Sequence, residues 1–164
     1  MFSGTIFENV AFGSVDGKEI SVEDANFALK VAQAWEFVEE KGGIDYKLEQ
    51  RGKNLSGGQK QRLSIARVVA RKPKIYIFDD TFSALDYKTD KNLREALKRE
   101  TVDSTVLIVA QRIGTIKNAD VIFVLDKGQI VGQGTHGELL KTCDVYHQIA
   151  ASQLSEEELN KKEV

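Results

Sequence analysis

Several things are scarce in this sequence, and each scarcity removes a class of function. Cys143 is the only cysteine, so an internal disulfide is impossible and a thiolate metal cluster is excluded. That count fits a reducing cytosol. Long apolar runs are missing: the longest, Val106–Ala110 and Val121–Leu125, have about five residues, whereas a membrane-spanning helix needs about 20. No signal-peptide pattern follows Met1, so any membrane connection is expected through a partner or a further part of the chain. Neither sign of charge dominates: 23 Lys and Arg against 25 Asp and Glu leave a net −2. A general nucleic-acid binder needs a basic face, which this balance does not supply. There is no repeat, no low-complexity stretch and no Pro-rich linker. The charge runs Glu156–Glu158 and Lys161–Glu163 read as solvated helix surface.

What remains is ordinary for a soluble globular chain of 164 residues, 41% hydrophobic and 29% charged, long enough for one domain with a core. Three short apolar runs predict buried strands at Lys74–Asp79, Thr105–Ala110 and Asp120–Leu125. A helical pattern over Thr89–Glu100 lies between the first two, and such alternation predicts a parallel sheet. The turn Asp126-Lys127-Gly128 before Gln129–Gly132 predicts a hairpin and an antiparallel edge. His136–Lys141 and Val145–Leu154 read as closing helices. In the first fifty residues no strand pattern is visible. Val22–Glu40 reads as one or two helices, with Phe27, Val31, Trp35 and Val38 as their core face, and a loop follows at Tyr46–Leu55.

The strongest local signal is Leu55-Ser56-Gly57-Gly58-Gln59, followed by a helical pattern from Lys60 to Arg71. The Ser56 hydroxyl can cap that helix. Gly57 and Gly58 leave backbone N–H groups uncovered, and a helix N-terminus of this kind suits phosphate. Ser-Gly-Gly by itself reads rather as a capped helix after a Gly-rich turn. The five-residue string is less easily dismissed, since chance would give it only on the order of a few times in ten thousand chains of this length. With Lys60-Gln61-Arg62 it resembles the signature motif of ABC transporters. In that family the motif touches the γ-phosphate of ATP held by a second domain.

Ile75-Tyr76-Ile77-Phe78-Asp79-Asp80 is a hydrophobic strand ending in carboxylates, at the sheet edge where α/β folds bind ligands. By itself it reads rather as a buried strand capped by two solvated aspartates. Beginning after the signature, it resembles a Walker B motif, which makes Asp79 the expected Mg²⁺ ligand. Ser83-Ala84-Leu85-Asp86 resembles the family's D-loop, which crosses the interface between two such domains. Phe2-Ser3-Gly4-Thr5-Ile6 with Glu8-Asn9 resembles the segment after the Q-loop. Gln50-Arg51-Gly52 sits where exporters contact their membrane domain, and Gly128 to Leu140 resembles the end of an exporter domain. The resemblance covers roughly residues 1–152. A competing pattern, G-x-G-x-x-G at Gly132–Gly137, lacks the second strand and the acidic residue that dinucleotide binding requires about 20 positions on.

The departures from the family are informative. G-x-x-x-x-G-K-[ST] occurs nowhere; the nearest approach, Gly13 to Lys18, has only three residues between its glycines. The phosphate-cradling loop, the adenine-stacking aromatic and the Q-loop glutamine are therefore expected upstream of Met1, and this chain alone is expected to bind ATP weakly. Asp80 stands where the family has Glu to polarise the attacking water. Gln111 stands where it has the switch histidine, and an amide neither titrates nor carries charge. Together these changes resemble the degenerate half of a heterodimeric exporter.

The resemblance implies a partial P-loop NTPase (ABC ATPase) fold of α/β class, with a parallel core sheet and a helical signature subdomain. The expected division is 1–72 for the helical part and 73–164 for the α/β part. The implied cofactors are ATP and Mg²⁺. The expected nucleotide contacts are Ser56, Gly57, Gly58, Gln59 and Asp86, with Asp79 for the metal and Asp80 and Gln111 at the chemistry. The implied partners are a second, non-identical ATPase domain and a transmembrane domain, which would place the chain on the cytoplasmic side of a cell membrane. Two other readings stay open: a soluble ABC ATPase and a non-catalytic docking fragment.

Overall fold

A computed structural model describes residues 1–13 and 19–160, with the side chains of 158 and 160 excepted. Most of the Gly13–Lys18 stretch and the Lys161–Glu163 charge run lie outside the described residues. The chain divides into two compact units, Met1–Leu107 and Ile108–Val164.

The first unit opens with a strand pair that the sequence pattern did not predict. β1 (Gly4–Thr5) pairs antiparallel with β2 (Lys47–Leu48). Two-residue strands are too short to register as alternation, so only the backbone bonds define them. Helix α1 (Ile6–Val10) starts at a complete capping box, with Thr5 and Glu8 exchanging bonds of 3.0 and 2.6 Å. The Val22–Glu40 pattern resolves into α2 (Val22–Val31) and α3 (Trp35–Glu40), broken at Gln33, whose φ is +55°. Val31 and Val38 are buried as expected, but the rest of the face differs. Phe27 is 40% exposed, while Ala25, Ala28, Leu29 and Ala32 are fully buried. Small residues let α2 approach α4 (Gly57–Val69) and α5 (Tyr87–Glu100) closely. Trp35 stays half-buried, its ring 5.0 Å from the Lys30 ammonium.

Helix α4 is the element on which α1 and α2 pack. It buries Leu63, Ile65, Ala66 and Val69. Arg67 fastens the start of the chain to it, donating to the Asn9 carbonyl at 2.6 Å and lying over the adjacent rings of Phe2 and Phe12. β3 (Ile75–Asp79) leads through α5 to β4 (Thr105–Val109), and the two strands form one sheet. The Thr105 N–H donates to the Lys74 carbonyl at 2.9 Å, so the strands begin side by side, the parallel arrangement expected. They are not buried on both faces, however. Tyr76 and Phe78 are 3% and 2% exposed, whereas Ile75 and Ile77 are 59% and 66% exposed. One face is thus covered and the other is open and apolar.

In the second unit, β5 (Ile122–Asp126) and β6 (Gln129–Gly134) form the expected antiparallel hairpin, with a bulge at Val124/Leu125. Lys127 and Gly128 both take positive φ, 49° and 79°, as a tight two-residue turn requires. Around the hairpin lie α6 (Ile113–Ile116), α7 (His136–Thr142), α8 (Asp144–Ala151) and α9 (Glu156–Asn160). Ile113, Ile122, Val124, Leu139, Cys143, Tyr146 and Ala150 form the core. Among the described residues no helix is long and apolar enough to cross a membrane.

Candidate functional site

The site is built around the start of α4. Ser56 takes an extended backbone (φ −68°, ψ 164°) and caps the helix. Its hydroxyl accepts from the Gln59 N–H at 3.2 Å, and Gln59 Oε1 accepts from the Ser56 N–H at 3.0 Å. A hydroxyl that accepts here still has its one proton to donate outward. Gly57 and Gly58 supply N–H groups of the first turn, which have no partner inside the helix. The partial positive charge of the helix end adds to them.

The two glycines are there for different reasons. A Cβ on Gly58 would stand 3.1 Å from the Ala84 carbonyl oxygen, so a side chain there would need that backbone to give by a few tenths of an ångström. A Cβ on Gly57 would meet only the Ala84 Cβ at 3.8 Å, an ordinary contact. None of the described residues forbids a side chain at 57.

Ser56, Gly57 and Gly58 line an open cleft of about 460 Å³ together with Asp86. Ala84, Leu85, Thr89 and Arg62 complete its walls. Asp86 caps α5, its Oδ1 accepting from the Thr89 N–H at 3.0 Å. The Thr89 N–H, then the Thr89 hydroxyl, hold this carboxyl below its ordinary range. Burial pulls the Arg62 guanidinium below its usual value, against the carboxylates of Asp86 and Glu36. Arg62 donates to the Gln33 carbonyl at 2.7 Å and lies 4.8 Å over the Phe37 ring.

The other expected residues sit elsewhere. Asp79 and Asp80 are exposed at the end of β3 and do not line the cleft. Asp80 has φ +48°, a left-handed conformation that Asp tolerates better than longer side chains do. Gln59 turns its carbonyl oxygen to the cap of its own helix. Gln111 belongs to the second unit, where its carbonyl accepts from Gln153 Nε2 at 2.9 Å. Gln153 Oε1 accepts from the Ile113 N–H at 2.9 Å, so one amide pins the segment carrying Gln111. Motif reading missed Gln153, and no local signal could have found a partner forty-two positions away. Arg62 was findable, because it stands four residues after Gly58 and so on the same helical face.

The G-x-G-x-x-G stretch has a packing explanation. A Cβ on Gly132 would lie 2.8 Å from Cys143 Sγ. Thr135 and Glu138 form a capping box that starts α7.

A sequence model of the ABC transporter family matches residues 3–83. An ABC transporter ATP-binding protein of Mycobacterium bovis is 44% identical over 93% of this chain and 26% of its own length. A solved bacterial Atm1-family ABC exporter with ATP bound superposes with a TM-score of 0.87 at 35% identity, covering 95% of this chain and 27% of that one. The chain belongs to the ABC transporter family. It matches part of the family's ATP-binding domain, with the expected partial P-loop NTPase fold, and its relatives are of exporter type. An ATP-dependent lipid A-core flippase of Francisella tularensis is another, 40% identical over 94% of this chain and 25% of the flippase. The chain spans about a quarter of the length of these relatives.

Proposed function

We propose that this ABC domain is part of the ATP-binding and ATP-hydrolysing subunit of an exporter, coupling ATP use to transport across a membrane. The observation that carries the reading is Gly57, bare at the start of a capped helix for no packing reason among the described residues. Ser56 would donate its hydroxyl proton, and Gly57 and Gly58 their N–H groups, to the γ-phosphate of ATP held by a second ATP-binding domain. Gln59 keeps Ser56 in place through the capping box. Asp86, in the same cleft, faces the same nucleotide.

Asp79 would hold Mg²⁺. One exposed carboxylate at a strand end fits that ion, which is ordinarily bound by one or two carboxylates with phosphate oxygens and water. Mg²⁺, when bound, neutralises charge on the phosphates. Asp80 reaches about a bond length less far than Glu, and ~1 Å of misplacement can cost ~10²-fold in rate. Gln111 can give the phosphate one hydrogen bond but no charge. The site on this side would hydrolyse poorly, and the competent site would be the one Ser56 completes. The partner domain would then be non-identical, with cargo carried by a transmembrane domain and this domain on the cytoplasmic face.

Gly57→Asp tests the reading cleanly. Its Cβ has room, and an acid in the first turn of a helix is favourable. The domain should therefore fold with undiminished stability, while a carboxylate meets the phosphate. The expected result in the assembled transporter is an unchanged melting temperature with ATP hydrolysis abolished. Retention of more than half the wild-type rate would sink the proposal.

A further inference from the structure

One side chain of α4 fastens the turn before α5. Gln61 lies three residues after Gly58, on the same face of the helix. Its Oε1 accepts from the Ala84 N–H at 3.1 Å, and its Nε2 donates to Ser83 Oγ at 3.3 Å. Ser83 Oγ in turn donates to the Asp80 carbonyl at 2.9 Å. A chain of hydrogen bonds thus runs from the signature helix to the backbone of Asp80, the residue with φ +48°.

Phe82 and Leu85 anchor the turn by burial, with the Phe82 ring 5.5 Å from that of Phe78. The turn's internal backbone bonds, Ser83 N–H to Asp80 and Leu85 N–H to Phe82, are 3.4 and 3.3 Å, longer than the usual ~2.9–3.0 Å. The Gly58 backbone abuts the Ala84 carbonyl, where a Cβ would stand at 3.1 Å. The turn is therefore pressed against α4 and bridged to it by an amide that satisfies a donor and an acceptor at once.

We propose that Gln61 is a positioning residue, locking the segment Asp80–Asp86 to the start of α4 so that Ser56 and the turn that leads into α5 meet the partner domain's nucleotide site as one unit. The inference rests on the nucleotide reading above. It adds a residue that touches no nucleotide itself, and it gives Gly58 a second duty, close backbone contact with the turn.

The variants are Gln61→Leu, which keeps the bulk and removes both bonds, and Gln61→Glu, which keeps an acceptor for Ala84. Amide exchange at Ala84, read by NMR, should quicken about two- to tenfold in Gln61→Leu, the range for one net hydrogen bond. In Gln61→Glu it should stay within about twofold of wild type, since a carboxylate accepts at least as well. In the assembled transporter, Gln61→Leu should lower kcat about tenfold, less than a ~1 Å misplacement costs, with KM for ATP unchanged. Gln61→Glu should restore most of that loss. If Gln61→Leu does not fold, Ser83→Ala cuts the same chain of bonds and should lower kcat in the same sense. Unchanged Ala84 exchange, or faster exchange with an intact kcat, overturns the positioning role. A wild-type transporter with no ATP turnover overturns the nucleotide reading instead, so the two failures are told apart.

Discussion

Ser56→Ala separates what the signature serine does for the fold from what it does for a nucleotide. In the fold it is a helix cap, accepting from the Gln59 N–H at 3.2 Å. Removing such a cap costs about 1 kcal/mol, within a range of about 0.5–2. A domain of this size with ordinary stability, ~5–15 kcal/mol, stays folded after that loss. Its melting temperature should fall by about 2–4 °C. At the phosphate the same hydroxyl is a preorganised donor, and removing one from a competent site costs ~10²–10³ in rate. The loss of turnover should therefore far exceed anything the lost cap explains. Ser56→Asp sharpens the contrast, because Asp caps as well as Ser but puts a negative charge at the phosphate. It should melt like the wild type and turn over no ATP. Asp80→Asn is the control on the weak side and should lose less than about tenfold. The assay is ATP hydrolysis in reconstituted membranes beside thermal melts of the same preparations. Should Asp80→Asn abolish activity while Ser56→Ala keeps most of it, the assignment of the two sites is backwards.

Asp80→Glu with Gln111→His should raise hydrolysis at the site built on this subunit's own phosphate loop, by more than the single changes combined. Asp80→Glu alone should gain little, because φ +48° suits Glu less than Asp; single-site turnover equal to wild type in the double variant would refute the degenerate reading. The Asp86 carboxyl is held low by Thr89, so its cap contributes fully above the ordinary carboxylate pKa of about 3.9 and is lost as pH falls below that through its depressed folded value. Asp86→Asn caps without titrating, so melts from neutral to strongly acid pH should show the wild type losing stability relative to the variant only below about pH 4. Gly132→Ala should destabilise by about 1–3 kcal/mol through overpacking, because its Cβ would meet Cys143 Sγ at 2.8 Å. Cys143→Ala should relieve part of that cost in a double-variant denaturation cycle, and strict additivity would refute the contact.

Sequence alone determined the elements whose causes are local. Ser56 with Gln59 three residues on, and a helical apolar pattern behind them, specify a capped helix wherever they occur. Lys127-Gly128 between two apolar runs specifies a tight hairpin. Thr5 and Glu8 carried the same capping signature for α1 and could have been read the same way. The family was legible too, since Leu55–Gln59 and Asp79 lie in one short stretch of chain. Tertiary structure decided what depends on residues far apart in sequence. Which face of α2 is buried depends on α4 and α5, and it chose the alanines and Leu29 over Phe27. Only the fold distinguishes Gly57 from Gly58, because the difference lies in how near Ala84 comes to each. The hold of Gln61 on Ser83 and Ala84, and of Gln153 on Gln111, are bonds across twenty-two to forty-two positions. Periodicity records the surface a residue belongs to, whereas a bond of that span exists only once the chain has closed around it.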